Sequence, residues 1–383
     1  MTAHRPARAS ARNIAWQALA ILSAVGLLAW LGHNALSNFA ARPLGAGFGF
    51  LFRPSNIPIG ETLIDYEPGR PIYLAILVGL LNTLLVSIVG IVMTTILGTA
   101  IGLMRLSRNI LAAWLAGAYV EYVRNVPLLA HLFVIYVVLQ GLPPLRAAFS
   151  FGGVLFLSNR GLVIPGVAVD HALAPLLLAA AGTLGSAILL ARRARRVQAR
   201  SGRRPVVLPW VAGIALVLFW GALHLSGGAL SVTLPRLEGL NFAGGRTLSP
   251  EMTALILGLT LYFAAFIAEI VRGGVLSIPK GQWEAATALG LRRRHILRLV
   301  VLPQTLRVII PPMTSQYLDL AKTSSLAIAI GYPDLVAVIN SVITDTGQAI
   351  ECVALIMAAF LIVNLTISSL MNVLNARVKI AQR

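Results

Sequence analysis

A single cysteine, Cys352, lies inside a long apolar run, so no intrachain disulfide can form and thiol chemistry is silent about compartment. Charge is also scarce. Only 11 % of the 383 residues are Asp, Glu, Lys or Arg and 57 % are hydrophobic, whereas soluble domains carry roughly 25 % charged residues. That balance excludes a soluble globular enzyme and points to a polytopic membrane protein. Acids are scarcest of all, 13 against 31 basic residues, which leaves a net charge of +18. Such a charge could serve nucleic acid, yet the arginines cluster beside apolar runs, as the positive-inside rule requires, so no nucleic-acid partner is expected. No G-x-x-x-x-G-K-[ST] phosphate loop occurs, so the chain cannot by itself cradle ATP in the usual way. Neither a nucleophile elbow nor a zinc motif is present. The six histidines are scattered without metal spacing, and His131 and His171 read as packed or interfacial. No catalytic, cofactor or metal site is expected in this chain.

What the chain has in abundance is apolar length. Several runs exceed the roughly 20 residues that cross a bilayer as a helix, and none alternates as an outer-membrane barrel strand does. The start is basic, with Arg5, Arg8 and Arg12, and leads into the apolar run 14–31. A secretory signal with a cleavage site at Asn38-Phe39-Ala40 is the alternative, but the run exceeds a normal signal core, so an uncleaved first span is expected. Further spans are expected over 72–104, 110–142, about 171–190, about 206–225, 252–271, about 304–330 and about 350–374. Gly98 and Gly102 in the second form a GxxxG step, read as helix packing. Between the fourth and fifth, ARRARRVQARSGRRP holds Arg192, Arg193, Arg195, Arg196, Arg200, Arg203 and Arg204 and no acid, a strong inside signal that also attracts anionic lipid. The result is an all-α protein of about eight transmembrane helices with both termini cytoplasmic. It divides into 1–71 (a span plus an outer loop), 72–142 (first part of the core), 143–250 (an insertion with two spans), 251–375 (second part of the core) and 376–383 (a tail).

The organising stretch is 269–303, EIVRGGVLSIPKGQWEAATALGLRRRHILRLVVLP, a polar segment between two apolar ones. Pro279 fits only at or before a helix start, 282–289 holds good helix formers, and Gly290 can take the left-handed conformation that ends a helix. A second helix follows, which Leu302-Pro303 is expected to close, since proline disfavours helical geometry in the residue before it. Glu284 beside the small step Ala285-Ala286 looks like a plug for a partner's cleft.

The pattern EAA, x3, G, x9, V-x-L-P resembles the ATPase-docking loop of ABC-importer permeases, and IAEIVRGGVLSIPKGQWEAATALGL is similar to polar amino-acid permeases of the histidine/glutamine type. The likeness covers roughly 72–141 and 251–375, and the stretch between resembles the insertion of the longer, general L-amino-acid (Aap/Bzt-like) members. The resemblance implies an ABC type I importer permease fold in a bacterial inner membrane, with Glu284, Ala285, Ala286, Gly290, Leu302 and Pro303 docking a cytoplasmic ATPase dimer. ATP and Mg would be bound by that partner. A second, different permease subunit and a periplasmic amino-acid-binding protein complete the expected assembly. One departure stands out: Asn125-Val126 occupies the place where shorter members have Gly-Thr.

Charges within spans default to function, because each costs about 2.5–3.5 kcal/mol at the bilayer centre. Glu121 and Arg124 share a helix face, as do Asp319 and Lys322. Either pair could simply neutralise itself. Alternatively the two spans line a polar path in which Arg124 takes a substrate carboxylate and Asp319 an ammonium. Glu269 is similar to the Glu of the family's "AE" step, and a capping role beside Arg272 is the competing reading. Pro311-Pro312 is expected to interrupt the seventh span. An ion-coupled secondary transporter would share these charges but normally shows internal repeats, and a membrane subunit that only anchors an ATPase would not need them.

Overall fold

The computed structural model describes residues 11–40, 47–168, 173–201, 207–225, 231–239 and 241–378. Arg5, Arg8, Arg203, Arg204, Lys379 and Arg383, expected to mark inner segments, lie outside these residues. The helices are α1 (Ala11–Ala40), α2 (Ile72–Met104), α3 (Ile110–Asn125), α4 (Leu128–Gln140), α5 (Leu173–Ser201), α6 (Leu208–Leu225), α7 (Pro250–Leu276), α8 (Lys280–Ala288), α9 (Arg293–His295), α10 (Leu302–Thr323), α11 (Leu335–Thr346) and α12 (Ala349–Val378). Among the described residues, five stretches are long and apolar enough to cross a membrane: 15–34, α2, α7, 293–330 and 349–376. The expected third span is not one rod: α3 and α4 meet at 107°, a broken span or a re-entrant turn. Pro127 is the cause, since it caps α4 and holds Val126 extended.

Helix α7 is the hub, packed by α2, α3, α4 and α10. Its contact with α2 depends on the glycine step read from sequence. A Cβ at Gly98 would stand 2.8 Å from Ile267 and 2.9 Å from the Ala264 carbonyl, and one at Gly102 would stand 2.7 Å from the Ala268 carbonyl. Only hydrogen fits there, so the two backbones approach closely, with Ile267 and Val271 buried beside the step. Polar ties cross the bundle as well. Asn82 of α2 donates to the carbonyls of Glu61 and Pro333, each at 2.9 Å, and the Thr83 hydroxyl accepts from the Leu335 amide at 3.0 Å. The Thr95 and Tyr317 hydroxyls meet at 2.7 Å between α2 and α10.

Helix α11, which the sequence reading passed over, starts on Asp334, whose carboxylate accepts from the Ala337 amide at 2.8 Å. Helix α1 stands apart, with no residue of its 15–34 stretch buried, and α5 and α6 pack chiefly on each other. The expected arginine loop is in part helical, because α5 continues through Arg192, Arg193 and Arg196.

The all-α expectation also gains a β annex. Strands β1 (Phe149–Phe151), β2 (Leu155–Ser158), β3 (Gly161–Ile164) and, after β4 (Gly166–Ala168), β5 (Ser231–Thr233), β6 (Arg236–Glu238) and β7 (Asn241–Ala243), the strand β8 (Arg246–Leu248) fill both flanks of the insertion. The larger sheet has the antiparallel order β1-β2-β3-β8, with β4 paired to β5 and β6 to β7. Strand β8 leads straight into α7, so the insertion fixes where the hub helix begins.

Two outcomes test this architecture. Gly102→Leu forces apart α2 and α7, and an overpacking penalty of about 1–3 kcal/mol should appear as a lower melting temperature in detergent; an unchanged melt refutes the close contact. Burial raises the Asp334 carboxyl from 3.8 to about 7, against backbone amides that pull it down. The folded state therefore holds a proton that the unfolded chain has released, and stability falls as pH rises between these values. Asp334→Asn keeps the cap and removes that penalty. Its melting temperature should exceed the parent's at pH 8 and converge toward it near pH 4; a gap independent of pH refutes the assignment.

Candidate functional site

The docking segment folds as a compact knob at the end of α7. Pro279 caps α8, and the helix closes at Gly290, whose φ of +71° lies in the left-handed region. The Gly290 amide donates to the Thr287 carbonyl at 2.9 Å and the Leu291 amide to the Ala286 carbonyl at 3.3 Å, so the last carbonyls of α8 are satisfied within the turn. The two alanines lie in different surroundings. Ala286 is 4 % exposed and packs with Ile278, Ile296 and Val301, pinning the knob to the chain that follows, while Ala285 is exposed beside Glu284. The small residue at 286 is thus a hinge pin for packing, and the outward surface is Glu284, Ala285, Ala288, Leu289 and Gly290.

Leu289 escaped the sequence reading although it is 79 % exposed, one turn beyond Ala285 on the same face. The signal was its position directly before the left-handed glycine, where a helix end projects its last side chain. Arg292, Arg293 and Arg294 are exposed just beyond it.

Leu302 and Pro303 correct an expectation. They do not close the second helix, because the chain runs from α9 through a π-helical stretch, Ile296–Val301, directly into α10, with Pro303 in its first turn. A proline there forgoes an amide whose partner the widened π register has already displaced. Nor do Pro311 and Pro312 interrupt α10. Both lie on its exposed face within one continuous helix.

The intramembrane charges separate into three situations. Glu269 joins Arg105 of the α2 end and Arg272 one turn along α7, so it locks the hub to α2 at the knob end. Asp319 and Lys322 pair at 3.5 Å, both about half exposed. They continue an exposed face of α10 that includes Pro311, Pro312 and Ser315. Glu121 and Arg124 are exposed on α3 and, among the described residues, no ion pair joins them. The Arg124 guanidinium instead lies 5.4 Å from the Phe266 ring centre, a cation–π contact with α7. Helices α3 and α10, which carry these residues, both pack on α7.

Apolar helices of membrane-crossing length, with a short helical knob at one end, define a multi-pass membrane protein. The family described as binding-protein-dependent transport system inner membrane component matches residues 205–380. The putative amino-acid ABC transporter permease protein YhdX of Escherichia coli is 45 % identical, over 96 % of this chain and 95 % of its own length. The general L-amino acid transport system permease protein AapQ of Rhizobium johnstonii is 42 % identical over 97 % and 93 %, and the glutamate/glutamine/aspartate/asparagine permease BztB of Rhodobacter capsulatus 38 % over 97 % and 95 %. A crystal structure of an amino acid ABC transporter with histidines superposes with a TM-score of 0.47 at 19 % identity, over 80 % of this chain and 94 % of that one. The chain belongs to the family of binding-protein-dependent inner membrane permeases of ABC importers. It is a multi-pass transport subunit rather than an enzyme, and members of this family work with an ATPase and a substrate-binding protein.

The contrast in burial between the two alanines gives a direct test. Ala286→Leu should overpack the pin and raise hydrogen exchange across 285–291 by about tenfold, the equivalent of roughly 1–3 kcal/mol of overpacking. Ala285→Leu should leave exchange unchanged. Equal protection in both variants refutes the pin.

Proposed function

We propose that this subunit moves polar L-amino acids into the cytoplasm, its access alternating under the drive of a separate ATPase docked on the 284–303 segment. The observation that carries this reading is the knob: a short helix closed at a left-handed glycine, held by Ala286 and offering Glu284, Ala285 and Leu289 to a partner. A secondary transporter has no use for such a surface. The relatives named for amino acids match almost end to end, which supports the substrate class.

The path is proposed to run along the exposed face of α10, with Asp319 and Lys322 offering both signs that a zwitterion requires. A polar stripe at the surface of an apolar bundle needs a wet or protein neighbour. A second permease subunit facing this stripe supplies it, with Glu121 and Arg124 near the same seam. ATP and Mg belong to the docked partner. The anchoring alternative, in which these charges are dispensable, is distinguished by their substitution.

In copurification, Glu284→Lys or Leu289→Asp should abolish recovery of the ATPase and reduce uptake by about tenfold or more, as hot-spot losses of 2 kcal/mol or above imply, with melting unchanged. Lys322→Leu should keep the ATPase bound and lose uptake. Uptake intact in Lys322→Leu would remove the polar path, and ATPase binding intact in both knob variants would remove the docking assignment.

A further inference from the structure

At the end of the bundle away from the knob, a cavity of about 200 Å³ opens where four separate pieces of chain meet: the 53–71 segment, α2, β8 with the start of α7, and the turn before α11. Glu61, Asn82, Arg246 and Tyr332 line it together with Leu85 and Met252. Its volume is that of roughly six or seven waters at about 30 Å³ each. Three observations distinguish it from an ordinary crevice.

Glu61 and Arg246 bring opposite charges to the same cavity, yet among the described residues no ion pair joins them. Burial raises the Glu61 carboxyl above its ordinary range, and Arg246 is the weakest of the influences on it, which fits a gap between the two. Tyr332 is 1 % exposed and its hydroxyl has no hydrogen-bond partner. Asn82 commits both amide protons to the carbonyls of Glu61 and Pro333, so only its oxygen remains, as an acceptor. The Glu61 carboxylate accepts from the Ser249 amide at 2.8 Å and is also within reach of the Ser249 hydroxyl, which still leaves lone pairs, since a carboxylate offers about four.

We propose that this cavity is an outer holding site for one zwitterionic amino acid, its ammonium on Glu61, Asn82 and Tyr332 and its carboxylate on Arg246. The inference rests on the amino-acid reading above. A primary ammonium has three protons and finds three acceptors here, while a guanidinium takes a carboxylate through two parallel N–H groups. All four polar groups address the part that every amino acid shares, and no charged group is left over to select a side chain, only the hydroxyls of Thr62 and Thr247. The site therefore admits polar amino acids of several kinds. With α7 spanning 27 residues, or about 40 Å at 1.5 Å per residue, it lies a full bundle length from the ATPase-docking surface, at the end where a binding protein would release its cargo.

The test is calorimetric titration of the purified full chain in lipid nanodiscs with L-glutamine, and with n-propylamine and propionate as half-ligands. L-glutamine should bind, with both half-ligands weaker by about tenfold or more, since each lacks one charged contact. Glu61→Gln, which still accepts from Ser249, and Arg246→Gln should each weaken L-glutamine by about tenfold, and Tyr332→Phe by a few-fold, with melting unchanged. Propylamine binding as tightly as glutamine, or glutamine affinity unmoved by both charge variants, overturns the proposal. In the assembled importer, amino-acid uptake whose KM ignores Glu61→Gln and Arg246→Gln overturns the holding site alone. An importer that carries no amino acid overturns the transport reading itself.

Discussion

The close contact between α2 and α7 is the constraint on which the rest of the structure depends. Two glycines one turn apart let the backbones touch, and the Ala264 and Ala268 carbonyls of α7 come within 3 Å of where a methyl would stand. In lipid there is no hydrophobic force to draw helices together, so dense packing and polar ties must do it. Here the packing is supplied by the last two turns of α2, and the ion cluster of Glu269 with Arg105 and Arg272 closes the same seam just beyond them, at the knob end. With α7 fixed against α2, its remaining sides receive α3, α4 and α10. The bundle is built outward from one helix pair.

The insertion acts on that pair from its other end. Strand β8 pairs with β3, Val163 opposite Thr247, and Leu157 and Leu248 pack on the central core beside Met252 and Tyr332. Ser249 then caps α7, accepting from the Met252 amide at 3.0 Å while its own amide reaches Glu61. A region that looks like an appendage in the sequence thus helps to set the first turn of the hub helix.

Much of this was legible before any coordinates. The glycine step announced helix packing, and Pro279 with Gly290 bracketed α8 because one residue restricts φ and the other frees it. Other features were hidden for physical reasons. Which of Ala285 and Ala286 faces inward depends on the long-range partners Ile278, Ile296 and Val301, not on local propensity. The break before α4 was written in Asn125-Val126-Pro127, but the surrounding apolar run masked it. Prolines 303, 311 and 312 misled because local rules cannot see the π turn that precedes the first or the open helix face that carries the other two. The strands of three or four residues are too short to show an alternating pattern.

The unbroken run of helix from Arg293 to Ile330 has a mechanical consequence. Its regular part, α10, has 22 residues and is about 33 Å long at 1.5 Å for each residue, and no loop interrupts the run between the base of the knob and the residues beyond Lys322. A twist applied at its foot is delivered to Asp319 and Lys322 without slack. Whatever grips α8 holds the short arm of a lever whose long arm already carries the charged stripe.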